Sequence, residues 1–249
     1  MSDAIRLIPL PGIPLVAPGD DLAALILAAA ERSATKLADG HLVVCQKIVS
    51  KAQGRIVALA DVTPSEEARR IAAEDDRDPR HVEVVLRESR RVVRRGHGVL
   101  ICETHHGFVC ANAGVDLSNA PGEDQAVLLP EDCDASAASL HSALVAGGAG
   151  PLGVVLSDTF GRPWREGLVD AAIGSAGFAP IADHRGDHDL AGRELQVTAT
   201  ATADQLAAAA GLLMGKASGI PAVWISGVPL AGDGRLGETL RDPANDLFR

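Results

Sequence analysis

Apolar positions recur along the chain in two rhythms, one near the helical period and one of short unbroken runs, with polar punctuation between them. The opening LIPLPGIPLVAPGDDL interleaves Pro9, Pro11, Pro14 and Pro18 with apolar residues, which predicts a stiff, extended segment. Asp20 or Asp21 then offers a cap for a helix carrying Leu22, Leu25, Ile26 and Ala29 on one face. HLVVC reads as a strand, running into a polar loop with Lys47, Ser50 and Lys51. Thr63-Pro64-Ser65-Glu66 has the form of a capping box with proline at the first helical position, opening a helix to about Ala73. A second helix is predicted from His81 to Arg95, its basic end RRVVRR complementing the helix dipole on a solvated face.

Downstream, VLICE and FVCA predict a hairpin turning at Gly107, and DASAASLHSALVA a helix capped by Asp134. PLGVVLSD reads as a short strand, with a glycine turn after it that brings Arg162, Trp164 and Arg165 together. ELQVTATATADQLAAAAGLLMGKASG goes strand, turn, helix, and IPAVWISG is a final strand. Helices and strands alternate without a strict βαβ rhythm, so the fold class is mixed α/β of the α+β type. From about Val228 the chain is rich in glycine and charge, and this tail is expected to lie outside the core.

Composition sharpens the picture in places. Apolar residues make up 47% of the 249, enough for a sizeable core, yet aromatics are so few that Ala, Val, Leu and Ile must build it. A formal net charge of −10 excludes a nucleic-acid-coating surface. It also requires that any phosphate-bearing ligand be met by local lysines, arginines or divalent cations. The cysteines form no CxxC, no stretch resembles a signal peptide, and no apolar run is long enough for a membrane span. These features predict a reduced, cytoplasmic protein with neither membrane nor nucleic-acid partner.

Several motifs are decoys. GAGPLG (148–153) fits a dinucleotide fingerprint, but it precedes a strand and contains Pro151. GLLMGKAS (211–218) is one residue short of a Walker loop and is better read as a helix closed by glycine. His105-His106 and DHRGDHD (183–189) lack the spacing of a zinc site. Asp116 and Asp158 are better placed: each follows an apolar strand, the first with Asn119 three positions on and the second with Thr159 adjacent. Carboxylate, hydroxyl and amide oxygens suit Mg²⁺ or Mn²⁺. With Lys51, Arg162 and Arg165 they make a metal-assisted phosphate-handling site, although either aspartate alone could simply cap a turn.

Read in order, a series of segments carries a family likeness. They are PGIPLVAPGDDL, QKIVSKAQGR, ETHHGFVCANAGVDLSN, LLPEDCDASA, VVLSDTFGRPWREGLVDAAIG, GRELQVTATATADQLAAAAGLLMGK and PAVWISG. Together they resemble the coenzyme F420-0:γ-glutamyl ligases in their stand-alone form, without a C-terminal flavin-binding domain. The resemblance implies a catalytic domain over residues 1–227, as one body or two intimate lobes, and a tail over 228–249. It implies a family-specific fold with mixed sheets that forms an intertwined homodimer. The implied reaction uses GTP to activate the terminal carboxylate of coenzyme F420-0 as an acyl phosphate, which the amine of L-glutamate then attacks. Two divalent cations, Mg²⁺ or Mn²⁺, serve it, and K⁺ can assist.

Residue by residue, the resemblance assigns Asp116, Asp158 and Thr159 to the metals. To GTP it assigns Lys51, Asn119, Ile13-Pro14-Leu15-Val16, Gln46 and the segment at Gly215-Lys216. Some relatives carry an acidic residue at that last segment, so the second ion's ligand set stays open. Arg162 and Arg165 are assigned on chemistry alone, as guanidinium groups that grip phosphate or a substrate carboxylate. The alternatives are a metal-dependent nucleotide phosphohydrolase using the same aspartates, or a nucleotide- or flavin-binding module without turnover.

Overall fold

A computed structural model describes residues 4–246. Its main sheet has five strands in the order β1 (Arg6–Pro9), β12 (Ala222–Ser226), β2 (Gly40–Cys45), β8 (Leu152–Arg162), β9 (Arg165–Ala176). β2 and β8 run parallel, and the other neighbours are antiparallel. The central strands are nearly continuous apolar runs, as expected where both faces are covered. Around them pack α1 (Leu22–Arg32), α5 (Cys133–Ala146) and α6 (Thr202–Met214). The helices bring alanine where aromatics would be too large, including Ala29, Ala137, Ala207 and Ala210, all fully buried.

A second apolar core draws only on residues between Leu59 and Leu128. It lies between α3 (Glu66–Asp75), α4 (Pro79–Arg87) and the three-stranded sheet β4 (Ser89–Gly96), β5 (Val99–Thr104), β6 (Val109–Ala111). The main core is built from residues on either side of that stretch, with Phe108 the exception. α2 (Gln46–Ala52) gives Ile48 and Val49 to the main core, and the short pair β3 (Ile56–Ala58) and β7 (Gln125–Val127) adds Ala126 to the second. A further pair, β10 (Ala182–Asp183) and β11 (Ala199–Thr200), closes an exposed excursion.

The fold class expected from the sequence is the one found, and the hairpin at Gly107 is also present, with Gly107 at φ +98°. Several local expectations are corrected. The polar loop after HLVVC is the helix α2, which starts directly at the end of β2 and has no breaker before Gly54. The helix expected over His81–Arg95 stops at Arg87, and RRVVRR is the strand β4. Its β-branched valines favour a strand. Two of its four arginines are neutralised sideways: Arg91 reaches Glu103 at 2.8 Å, and Arg95 reaches Asp75 at 2.7 Å.

The helix predicted from the Thr63 box is capped by Ser65 instead, which accepts the Ala68 N–H, so proline lies before the helix and not in it. The α5 cap is Asp132. Asp134 instead accepts backbone N–H groups from Ser175, Leu236 and Gly237. The last two belong to the segment expected outside the core. Leu236 is 4% exposed and part of the main core, so the described residues past Val228 are fastened to the core at that point.

Finally, β8 does not stop at Asp158. It runs on through Thr159-Phe160-Gly161 to Arg162, and the turn into β9 is Pro163-Trp164, with Trp164 at φ +59°. Gly161 is a strand residue paired with Leu168. No helix among the described residues is long and apolar enough to cross a membrane, and the four cysteines are free thiols.

Candidate active site

A cleft of about 300 Å³ opens where β2, β8 and β9 meet α2 and the end of α6. One wall is the extended segment Ile13–Val16, with Ile13 and Val16 turned inward and Leu15 94% exposed. Met214 at the end of α6 and the loop from Gly215 to Pro221 also line the cleft, with Gly215 at φ +56° closing the helix. The floor is polar and comes from Ser157, Asp158 and Thr159 on β8, Asp170 on β9, and Lys47 and Lys51 on α2.

The two lysines share a face because they stand one helical turn apart. Lys51 is 8% exposed, and burial, with the Lys47 charge beside it, pulls its ammonium below the usual lysine range. Lys47 bridges to Asp116 at 2.5 Å and donates to the Ser118 hydroxyl at 2.9 Å. Burial pushes the Asp116 carboxyl up, but the Lys47 hydrogen bond and charge and the Ser118 N–H outweigh it, so its pKa ends below normal. Asn119 lines the same cleft from a left-handed backbone position, φ +56°.

Asp158 is in the opposite condition. Burial raises its pKa to about 6, and the charges of Asp116 and Asp170 add to this against the Thr159 N–H and the Lys47 charge. A half-buried carboxylate beside other carboxylates is one that a hard cation would relieve. Thr159 next to it donates its hydroxyl to Asp170 Oδ1 at 2.5 Å and accepts from the Lys216 ammonium. The carboxylate and hydroxyl oxygens of Asp158, Thr159 and Asp170 suit Mg²⁺ or Mn²⁺, although the Cys45 thiol and the Met214 thioether line the same cleft. Among the described residues no three His, Cys, Asp or Glu side chains converge to cage an ion. Mg²⁺ is commonly bound through one or two protein carboxylates, with substrate phosphates and water completing its shell.

The sequence-derived candidates therefore divide. Ile13, Pro14, Leu15, Val16, Lys51, Asn119, Asp158, Thr159, Gly215 and Lys216 line one cleft. Asp116 joins them through Lys47. Gln46 is fully buried behind the wall, where its amide oxygen accepts the Ser50 hydroxyl at 2.8 Å. Arg162 and Arg165 face each other at the tip of the β8–β9 hairpin and do not line the cleft. Arg162 there donates to the carbonyls of Glu166 and Gly167.

The histidine clusters take structural contacts. His105 meets the Arg87 carbonyl, His106 the Pro130 carbonyl, and His184 the Asp187 carboxylate. Two charged cleft residues, Lys47 and Asp170, stand outside the sequence-derived candidates. Lys47 was hidden by the reading of α2 as a loop; as a helix, its spacing from Lys51 would have exposed it. Asp170 is invisible without the hairpin register that sets it opposite Thr159.

Fold and cleft together define a mixed α/β protein whose oxygen-rich floor, fringed by lysines, suits a polyanion accompanied by hard cations. Comparison with known proteins narrows this: the model of the F420-0:Gamma-glutamyl ligase family matches residues 12–227, and the chain belongs to that family. A protein of Methanothermobacter thermautotrophicus named coenzyme F420:L-glutamate ligase is 47% identical over 98% of this chain and 99% of its own. Proteins of the same name from Methanopyrus kandleri and Archaeoglobus fulgidus are 44% and 41% identical, each over 98% of this chain and 98% and 96% of their own.

Proposed function

We propose that this chain is a GTP-dependent ligase that joins L-glutamate to the side-chain carboxylate of coenzyme F420-0. Family membership and the names of the relatives support the ligation itself. The observation that carries the nucleotide half is the meeting of Lys47, Lys51 and Lys216 with Asp158 and Thr159 in one cleft of an otherwise acidic protein. The lysines supply the fixed positive charge a triphosphate needs. The Ile13–Val16 wall and the Gly215–Pro221 loop hold the nucleoside, with Asn119 as a polar contact.

The reaction we infer begins with a carboxylate oxygen of F420-0 attacking the γ-phosphorus of GTP. The bond to the β–γ bridging oxygen breaks, and GDP leaves with its electron pair. The amine nitrogen of L-glutamate then attacks the acyl carbon, the amide forms, phosphate departs and the amine gives up a proton. Every reactant is anionic, so charge neutralisation is the chief demand on the protein. Divalent cations held by Asp116, Asp158 and Thr159, with K⁺ as a further aid, would supply neutralisation at the phosphates.

Within the chain, Lys47 and Lys51 orient the phosphates, and Ile13 and Val16 shield the cleft from bulk water. Arg162 and Arg165 do not line the cleft, and we propose for them, on guanidinium chemistry alone, the grip on a carboxylate of the incoming acidic substrate. We further propose a homodimer, which light scattering would test directly.

The deciding experiment incubates the protein with GTP, Mn²⁺, L-glutamate and glutamate-free coenzyme, and follows product mass and GDP together. Glutamyl addition matched by GDP release is expected, and EDTA should abolish both. GDP release indifferent to the acceptor would make the protein a phosphohydrolase, and binding without turnover a carrier module.

A further inference from the structure

Asp170 is the floor carboxylate that neither motif nor resemblance assigns. It stands on β9 directly across from Thr159 on β8, and its side chain is 14% exposed. Only one of its oxygens is used: Oδ1 accepts the Thr159 hydroxyl, and Oδ2 has no hydrogen-bond donor among the described residues.

A neighbouring helix makes room for that carboxylate. Gly211 lies inside α6, where a Cβ would come 2.5 Å from Asp170 Oδ2 and 3.0 Å from its Cγ. Glycine is a poor helix former, and the rest of this helix is rich in alanine and leucine, so the missing side chain matters for the space it leaves. A positive charge already stands against the same pair. Lys216 donates to the Thr159 hydroxyl, and its ammonium lies 3.8 Å from Asp170 Oδ1 on a side chain that is 68% exposed and free to turn elsewhere.

Hydroxyl, half-used carboxylate and resident cation together describe a place for a hard ion that is completed by phosphate oxygens. We propose that Asp170 is the protein carboxylate of the second divalent-cation position, beside Thr159. Lys216 is the counter-charge it holds when that ion is absent, and Lys216 turns to the nucleotide phosphates when the ion arrives. This deepens the functional reading given above and rests on it.

The test titrates Mn²⁺ into the full chain with saturating GDP, counting bound ions by loss of the free-ion electron paramagnetic resonance signal. Wild type should bind two ions. Asp170→Asn keeps the shape and the Thr159 bond but not the charge. It should retain one ion and hold the other about 10–100-fold more weakly.

Gly211→Ala, which favours the helix and crowds the carboxylate, should weaken the same ion. Lys216→Met without nucleotide should bind the Asp170-dependent ion more tightly than wild type does. Thermal melts identify any variant that has lost its fold. Two ions at wild-type affinity in both Asp170→Asn and Gly211→Ala would overturn the proposal, as would loss of both ions together in a folded Asp170→Asn. A wild type that binds no Mn²⁺, or an Asp158→Asn that binds both ions normally, would instead overturn the metal reading beneath it.

Discussion

Asp134→Ala should destabilise the protein far more than removal of a helix cap. Its carboxylate accepts three backbone N–H groups, from Ser175 at 2.9 Å, Leu236 at 3.0 Å and Gly237 at 2.8 Å. Bonds to an ionised acceptor contribute about 1.5–3 kcal/mol each when buried. The bonds from Ser175 and Leu236 are partly buried and count near the low end; the Gly237 bond is exposed and adds little. The expected loss is about 3–4 kcal/mol, or a melting point lower by about 6–16 °C for a chain of this size.

Asp132→Ala, which removes the true cap of the same helix, should cost about 1 kcal/mol. Calorimetry measures both, and limited proteolysis across residues 228–246 provides a second readout. Asp134→Ala should expose that segment, Asp132→Ala should leave it protected, and Asp134→Asn should fall between. If Asp134→Ala melts with Asp132→Ala and keeps the segment protected, Asp134 acts as a helix-end residue only and the tethering argument fails.

Lys47→Met should lower kcat/KM for GTP by about 10²–10³. Its melting point should move by no more than about 1 kcal/mol warrants, since the partner Asp116 is 38% exposed; equal damage to both would make Lys47 structural. Asp158→Asn should abolish ligation yet stabilise the metal-free protein. The folded pKa, about 6, lies above the unfolded one, so the ionised group costs stability once pH rises through that value. In EDTA at pH 8 the variant should be ahead by about 1–2 kcal/mol, allowing for the open cleft, and the two should converge towards pH 4; a less stable variant in urea at pH 8 would refute this. Replacing Arg162 and Arg165 together by alanine should raise KM for the acidic acceptor without changing GTP affinity. A parallel loss of nucleotide binding would put both arginines at the phosphates.

The cleft was legible where a single local motif held the residues in place. Asp158-Thr159 at the end of an apolar run is such a motif and sits in the cleft, whereas Ile13–Val16 reads by itself only as a stiff segment and enters the site through the family resemblance. What could not be read needed pairing information. Whether Gly161 is a turn or a strand residue depends on its partner Leu168, and the same register brings Asp170 to Thr159. RRVVRR carries charges that suit a helix end, but its neighbours Glu103 and Asp75 come from other elements, so tertiary partners decided between two acceptable local states. Asp134 resembled a cap because its sequence context is a cap's; its actual donors are 41 and more than a hundred residues away.

The parallel pairing of β2 with β8 has a kinetic side. Val44 pairs with Leu156, and the Ser157 hydroxyl reaches the Val44 carbonyl across 113 residues of chain. Closing so long a loop is entropically costly, and non-local parallel strands are slow to pair. Asp158, Thr159 and Asp170 share one hairpin, whose local closure can come early, whereas Lys47 follows β2 and reaches them only once the long-range pairing exists. The anionic half of the cleft can thus assemble before its cationic half, and nucleotide affinity during refolding would mark the moment the two halves of the chain meet.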